Sequence, residues 1–174
     1  MTDTGREIHR GRVVRLFVES VTLPNGHQLD LEIVRHPGAA AIVALTDQDE
    51  VLLVRQYRHA VGGYIYEIPA GKLDGEEPAV CARRELAEEA GVEAATWEPI
   101  GSIVTTPGFS DEVIHLFLAR ELRPVPQRLE ADEVLTVERV AFGRALEMCA
   151  SGAIRDAKSM CALLRADLYR RGIH

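Results

Sequence analysis

Residues 71–92 read GKLDGEEPAVCARRELAEEAGV, a glycine-rich turn that leads directly into an acidic helical segment. Pro78 suits the first turn of a helix, and Gly91 suits the left-handed position that follows a helix end. Between them, Glu85, Glu88 and Glu89 are three and four residues apart, which places their carboxylates on one side of the helix. Because like charges at this spacing repel, the pattern predicts a cation at this helix face.

The nature of that cation follows from its ligands. Carboxylate oxygens are the ligands that Mg²⁺, Mn²⁺ and Ca²⁺ prefer. A Zn²⁺ site is disfavoured, because the segment contains neither paired Cys nor His. The alternative is a solvent-exposed acidic face in which Arg83 and Arg84 are the local partners of the glutamates. The residues that precede the helix favour the metal.

The segment resembles the signature of the Nudix hydrolases, a glycine turn with a glutamate, followed by Arg-Glu-aliphatic-x-Glu-Glu-x-Gly-aliphatic. Residues 84–92 match this second half at every fixed position, and Glu76 has the required distance from Arg84. The turn departs from the signature, since four residues instead of five separate Gly71 from Glu76. The departure concerns the course of the loop and not the helix.

Three other segments are similar to the ADP-ribose pyrophosphatase branch of that family: LVRQYR at 53–58, EIPAG at 67–71 and PGFSDE at 107–112. The resemblance extends from about residue 11 to residue 164. It implies an α/β fold, namely an α/β/α sandwich with a mixed sheet, and a small N-terminal antiparallel β subdomain that mediates a homodimer. We therefore expect a dimerisation subdomain over residues 1–36 and a hydrolase domain over residues 37–174.

Hydrophobic patterning predicts the individual elements. An Asn25-Gly26 turn joins two alternating segments in a hairpin. The predicted strands cover residues 11–22, 27–36, 39–45, 51–56, 97–105, 113–121 and 134–139, and helices are predicted over 142–150 and 158–169 after the acidic one. A polar loop over 124–133 is long enough to suggest a functional role.

The resemblance implies Mg²⁺-dependent hydrolysis of the diphosphate bond of ADP-ribose or related ADP-sugars, giving AMP and a sugar phosphate. Its metal ligands would be Glu85, Glu88, Glu89 and the carbonyl of Ala70, with Mn²⁺ able to replace Mg²⁺. Such a cation is useful because a diphosphate repels an oxygen nucleophile until its charge is neutralised.

The general base that activates water is expected on a loop after the acidic helix. Glu133 is the first candidate and Glu112 the second, the latter as a base or as an extra metal contact. Each has the alternative of being an ordinary surface carboxylate. Glu89 completes the predicted catalytic residues as a metal ligand.

Four residues are predicted to bind substrate: Arg55, Arg58, Glu67 and Phe109. Arginine suits phosphate and ribose oxygens, and Phe109 can stack on a base. Arg55 and Arg58 are three apart, so they reach one cleft only if their strand ends near Gln56. Glu67 orients the following loop or accepts a hydrogen bond from the substrate, the alternative being a purely structural hydrogen bond.

Whole-chain composition restricts the class of protein. The net charge of −7 argues against general binding of nucleic acid, which requires a basic face. No apolar run is long enough for a transmembrane helix, so no membrane partner is expected, and the first residues lack the pattern of a signal peptide. The three cysteines suggest free thiols in a reducing, cytoplasmic setting.

Two alternatives remain open at this point. The substrate is another nucleoside diphosphate compound, such as a CDP-alcohol or a GDP-sugar, or a nucleoside triphosphate. More remotely, the chain is a non-catalytic nucleotide-binding module, which is disfavoured because all three glutamates of the signature are present.

Overall fold

Three β-sheets and three α-helices occur in the residues that the computed structural model describes, 5–131 and 133–173. The strands are β1 (Arg6–Arg10), β2 (Arg15–Thr22), β3 (Gln28–Arg35), β4 (Ala39–Ala44), β5 (Glu50–Arg58), β6 (Gly63–Glu67), β7 (Ala70–Lys72), β8 (Val92–Val104), β9 (Val113–Pro124) and β10 (Leu135–Ala141). The helices are α1 (Pro78–Ala90), α2 (Phe142–Ser151) and α3 (Ala157–Arg170). None of the helices in the described ranges combines the length and hydropathy that are needed to cross a lipid bilayer.

The N-terminal sheet has the order β1-β2-β3 and is antiparallel throughout. The predicted hairpin is confirmed: Gly26 has a φ of 85°, and its N–H donates to the Leu23 carbonyl at 2.8 Å. Strand β1 was not predicted, because almost all of its residues are exposed and its sequence lacks a clear alternation of apolar and polar residues.

Two further sheets form the centre of the molecule. One is mixed, with the order β7-β4-β9-β8, and β4 and β9 are its parallel pair. The other has the order β10-β5-β6 and is antiparallel. All six residues of β4 are buried, as expected for a strand covered on both faces.

Helices cover both sides of the central sheets. On one side, Cys81, Ala82 and Leu86 of α1 pack with Ile42 of β4. On the other side, α2 and α3 pack against Val43 and other residues of the opposite face, with Ala145 and Leu163 among their fully buried residues. The alternating side chains of β4 thus join two apolar cores, which gives the α/β/α arrangement that the family resemblance implied.

The acidic helix α1 begins and ends where the sequence indicated. Pro78 is its first residue, and Gly91 follows it with a φ of 64°. The Gly91 N–H donates to the Ala87 carbonyl at 3.2 Å, which caps the last turn. The buried apolar face of α1 fixes the rotation of the helix, and therefore the direction in which its glutamates point.

Candidate active site

The three glutamates of α1 differ in exposure. Glu85 and Glu89 are buried, with 8% and 3% of their surface exposed, whereas Glu88 is half-buried. Strand β7 lies against them, and the Ala70 N–H donates to Glu89 Oε2 at 2.8 Å. A buried carboxylate is costly unless it is paired or hydrogen-bonded, so these two are unlike ordinary surface acids.

Gly71 is required by the position of Glu85. A Cβ atom at residue 71 would lie 1.8 Å from Glu85 Oε1, a distance that excludes any side chain while the glutamate keeps this position. The glycine of the turn therefore provides the space in which the Glu85 carboxylate sits. The turn and the helix meet here although the turn is one residue shorter than the family signature.

Arg84 connects the turn to the helix. Its Nη1 lies 2.7 Å from Glu85 Oε1 and 3.1 Å from Glu88 Oε2, and its Nε lies 3.0 Å from Glu76 Oε2. Burial alone would lower the pKa of Arg84, but the three carboxylates raise it above its usual value. Arg84 and Glu76 thus brace this segment.

Burial raises the pKa values of both buried carboxylates. Burial raises the pKa of Glu89 to about 8, and the nearby charges of Glu85 and Glu133 add to the rise, against the opposing effects of the Ala70 N–H and Arg58. Burial also raises the pKa of Glu85, although Arg84 opposes it. A cation bound beside Glu85 and Glu89 would stabilise their ionised forms and lower both pKa values.

These features fit a hard divalent cation. The donors are carboxylate oxygens beside the backbone of Ala70, and two of them are difficult to ionise without a cation. Within residues 5–131 and 133–173, no three Asp, Glu, Cys or His side chains already converge as a metal site. Arg84 Nη1 contacts one oxygen of Glu85 and one of Glu88, so its guanidinium would compete with a metal for these two oxygens.

The loop after β9 brings Glu133 to this acidic group. The loop is anchored to the end of α1, since Gln127 Nε2 donates to the Glu89 carbonyl and the Arg128 N–H donates to the Glu88 carbonyl. Glu133 is close enough that its charge raises the pKa values of both Glu85 and Glu89. The first candidate for the general base therefore lies near the predicted metal ligands.

Glu112 lies in a different setting, in the loop between β8 and β9. Its Oε2 accepts a hydrogen bond from Thr105 Oγ1 at 2.7 Å, and its Oε1 lies 3.3 Å from His36 Nδ1. In the same loop, Phe109 is 53% exposed. Glu112 is held beside the N-terminal sheet, while Phe109 presents an aromatic ring to solvent.

Glu67 lies in a buried ionic group that the sequence did not indicate. Arg58 donates from Nε and Nη2 to the two Glu67 oxygens, each at 2.8 Å, and Lys158 Nζ donates to Glu67 Oε2 at 2.5 Å. Burial alone would raise the pKa of Glu67, but these two cations together lower it to about 2. Lys158 was missed because it follows Glu67 by 91 residues, and no local pattern announces such a contact.

The predicted end of the strand near Gln56 is wrong, because β5 continues to Arg58. Alternation along the strand therefore points Arg55 and Arg58 to opposite faces. Arg58 meets Glu67, whereas Arg55 is exposed and lies 4.7 Å above the ring centre of Tyr64. The condition under which both arginines reach one cleft is not met within this chain.

A model of the NUDIX domain matches residues 35–163. An ADP-ribose pyrophosphatase of Bacillus subtilis (strain 168) is 44% identical over 160 residues, which cover 90% of this chain and 86% of that protein. A methanol dehydrogenase activator of Bacillus methanolicus is 43% identical over 160 residues, with the same two coverages. A GDP-mannose pyrophosphatase of Cronobacter sakazakii (strain ATCC BAA-894) is 37% identical over 162 residues, covering 83% of each chain.

A solved structure described as the crystal structure of an ADP compounds hydrolase superposes with a TM-score of 0.82. It covers 97% of this chain and 94% of that chain at 21% identity, a level at which the likeness shows the fold alone. The predicted α/β/α sandwich and the family resemblance of residues 71–92 are both confirmed. With its domain match and its relatives above 40% identity, the chain belongs to the Nudix family.

Proposed function

We propose that this Nudix protein is a pyrophosphohydrolase that hydrolyses the diphosphate bond of ADP-ribose and related ADP-sugars. Water and ADP-ribose would give AMP and ribose 5-phosphate. The observation that carries the proposal is the buried pair Glu85 and Glu89 beside Ala70, in a chain that shares 44% identity with an ADP-ribose pyrophosphatase.

We assign Mg²⁺ as the cofactor, with Mn²⁺ as a substitute. Glu85, Glu89 and the Ala70 carbonyl would hold it, supported by Glu88. Bound there, the cation would neutralise the diphosphate charge and make water more acidic. The raised pKa values of Glu85 and Glu89 support this assignment, because a cation would stabilise both ionised carboxylates.

Glu133 accepts the proton of the attacking water in this proposal, since its position near Glu85 and Glu89 suits a general base. Glu112 is the second candidate for that role. Phe109, which is exposed, would stack on the nucleobase.

Arg58 would bind a phosphate oxygen. Its hydrogen bonds to Glu67 use Nε and Nη2, so Nη1 can donate to the phosphate while Glu67 keeps the guanidinium in place. Glu67 therefore serves substrate binding through Arg58. Arg55 lies beside Tyr64, on the opposite face of β5 from Arg58. It would contact substrate only if the substrate also reached that face.

A second substrate class is favoured by one observation, the 37% identity with a GDP-mannose pyrophosphatase. The chemistry at the diphosphate would be unchanged, and the nucleobase and sugar would differ. Under this alternative, the residues that recognise the nucleobase would determine which substrate is preferred, and the glutamates of α1 would have the same role for both substrates.

We also propose that the protein works as a homodimer in the cytoplasm, with residues 1–36 as the dimerisation subdomain and residues 37–174 as the hydrolase domain. Exposed Ile8, Val13 and Val14 on the N-terminal segment support an interface there, because each leaves more than 40% of its surface in solvent. The thiols of Cys81, Cys149 and Cys161 are free, which suits a reducing compartment.

Chromatographic analysis of products tests the substrate assignment. The protein is incubated with Mg²⁺ and, separately, with ADP-ribose, GDP-mannose, a CDP-alcohol and ATP. Preferred release of AMP from ADP-ribose is expected. Preferred turnover of GDP-mannose would move the assignment to the second class, and binding without any turnover would contradict hydrolysis.

The control for this assay is Glu89→Gln, which keeps the shape of the side chain but removes a metal ligand. We expect turnover to fall by several orders of magnitude without loss of the fold. Near-normal turnover by this variant would contradict the role of α1, whichever substrate is preferred.

A further inference from the structure

The loop that carries Phe109 and Glu112 is joined to the N-terminal sheet by backbone pairing. The Val34 N–H donates to the Phe109 carbonyl at 2.7 Å, and the Asp111 N–H donates to the Val34 carbonyl at 3.3 Å. Ser110 and Val34 form a parallel β-bridge between these two bonds. Residues 109–111 thus pair with the end of β3, although they lie far from that strand in the sequence.

Side chains reinforce this junction. Arg35 Nη1 donates to Asp111 Oδ2 at 3.0 Å, and the His36 N–H donates to Asp111 Oδ1 at 2.9 Å. Arg35 Nη2 also donates to Glu19 Oε1 at 2.5 Å, so one guanidinium connects β2 with the loop. The Arg35 side chain is only 17% exposed, and charged hydrogen bonds of this kind lose little to screening by solvent.

Within the loop, the remaining bonds transmit this anchoring to the two candidate site residues. The N–H groups of Phe109 and Ser110 both donate to the Thr106 carbonyl, at 3.1 and 2.9 Å. The Glu112 N–H donates to Ser110 Oγ at 3.2 Å. Phe109 and Glu112 directly flank the anchored pair 110–111, so their directions depend on the contact with Arg35.

We propose that Arg35 and Asp111 are positioning residues, and that the N-terminal sheet holds the loop of residues 105–112 in the conformation that receives the nucleotide. This proposal rests on the proposed function for the roles of Phe109 and Glu112. It gives the N-terminal sheet a task within its own chain, in addition to any part in a dimer.

The test compares Asp111→Asn with Glu7→Gln. Glu7 is a matched control because it also forms ion pairs in the N-terminal segment, with Arg10 and Arg15, and its side chain has nearly the same exposure as Asp111, 27% against 28%. For Asp111→Asn we expect the KM for ADP-ribose to rise about tenfold, with kcat changing less than about threefold, because the competent loop is less populated. Glu7→Gln should leave both constants unchanged.

Two additional measurements separate positioning from general damage. Hydrogen exchange at the Val34 and Asp111 amides should become at least about tenfold faster in Asp111→Asn, while amides of α1 stay protected. Mn²⁺ affinity should not change.

Arg35→Gln should reproduce the rise in KM, and the double variant should be no worse than either single variant, as expected for two residues that act through one contact.

Unchanged amide exchange or an unchanged KM in Asp111→Asn would overturn the proposal, as would a parallel loss of Mn²⁺ affinity. Failure of the proposed function is distinguishable from these outcomes. In that case the wild-type protein releases no AMP from ADP-ribose, and the exchange comparison still decides whether Asp111 anchors the loop.

Discussion

At the scale of single residues, the candidate site depends on a conflict between burial and charge. Glu85 and Glu89 are placed where ionisation is costly, and Arg84 compensates for only part of that cost. The position of Glu85 in turn requires a residue without a side chain at Gly71. The raised pKa values and the glycine of the turn are therefore two consequences of one local packing arrangement, and the proposed metal site depends on both.

Gly71→Ala tests this arrangement directly. The added Cβ would occupy the place of the Glu85 carboxylate, which is the flexible end of a side chain and can move away. We expect the fold to persist and the affinity for Mg²⁺ to fall about 10- to 100-fold, as for other changes beside metal ligands. Isothermal titration calorimetry measures the affinity.

The control is Gly143→Ala in α2, where an added Cβ meets no atom within 4 Å. Its affinity for Mg²⁺ should equal that of the wild type. Unchanged affinity in Gly71→Ala as well would show that the metal does not require Glu85 in this position.

The raised pKa of Glu89 predicts how metal binding depends on pH. Without metal, Glu89 is protonated below about pH 8, so a cation must displace its proton. Affinity for Mg²⁺ should therefore increase by up to about tenfold per pH unit below pH 8 and level off above it. Calorimetry in two buffers with different ionisation enthalpies should show proton release at low pH, and an affinity independent of pH in this range would contradict the assignment.

At the scale of elements, α3 is tied to the strands that carry the site. Ser159 Oγ accepts a hydrogen bond from the Ile68 N–H at 2.8 Å, one residue after Glu67 and two before Ala70. Lys158, also on α3, contacts Glu67 itself. The first turn of this helix thus fixes the segment that leads into the proposed metal loop.

The pH dependence of the free energy of unfolding tests the ion pairs that connect Glu67 to Arg58 and Lys158. The folded-state pKa of Glu67 is lowered from 4.5 to about 2, so its ion pairs stabilise the fold above pH 4.5 and lose that effect as the pH falls toward 2. We expect Glu67→Gln to lower the free energy of unfolding by about 3 kcal/mol at neutral pH. The difference from the wild type should shrink as the pH falls from 4.5 to 2.

Urea denaturation across this pH range measures the effect. Glu147→Gln is the control, because its ion pair with Arg144 is exposed at the surface of α2. That variant should differ little from the wild type at any pH. A Glu67→Gln deficit of the same size at low and neutral pH would contradict the lowered pKa.

The elements also show how far the sequence predicts this structure. Helix α1 was predictable because Pro78, Gly91 and the helical spacing of its glutamates are local signals. The extension of β5 to Arg58 was not, since pairing with β6 prolongs the strand beyond its apolar run. The contact between Lys158 and Glu67 was not predictable either, because contacts between distant segments leave no local pattern in the sequence.

At the scale of the whole molecule, the N-terminal sheet combines two features. It is anchored to the loop of residues 105–112 through Arg35, and it carries exposed apolar residues at Ile8, Val13 and Val14. The anchoring through Arg35 supports the proposed positioning of the loop, and the exposed apolar residues support the proposed homodimer. Charge does not favour association by itself, since each chain carries a net charge of −7.

Light scattering coupled to size-exclusion chromatography tests the proposed homodimer. The full chain should have a mass of about 38 kDa, twice the 19.2 kDa of one chain. Deletion of residues 1–34 should give a monomer of reduced activity or an aggregate, because the deletion removes the exposed apolar residues and the backbone partner of Phe109. A well-behaved, fully active monomer after this deletion would contradict a role for the segment in the active assembly.

The most direct test of the proposed chemistry is an anomalous difference map from crystals grown or soaked with Mn²⁺. We expect a peak between the Glu85 and Glu89 carboxylates, about 2.0–2.3 Å from their oxygens, with Arg84 withdrawn from Glu85. A map without a peak at α1, in which the Arg84 guanidinium still bridges Glu85 and Glu88, would contradict the metal site and with it the proposed diphosphate hydrolysis.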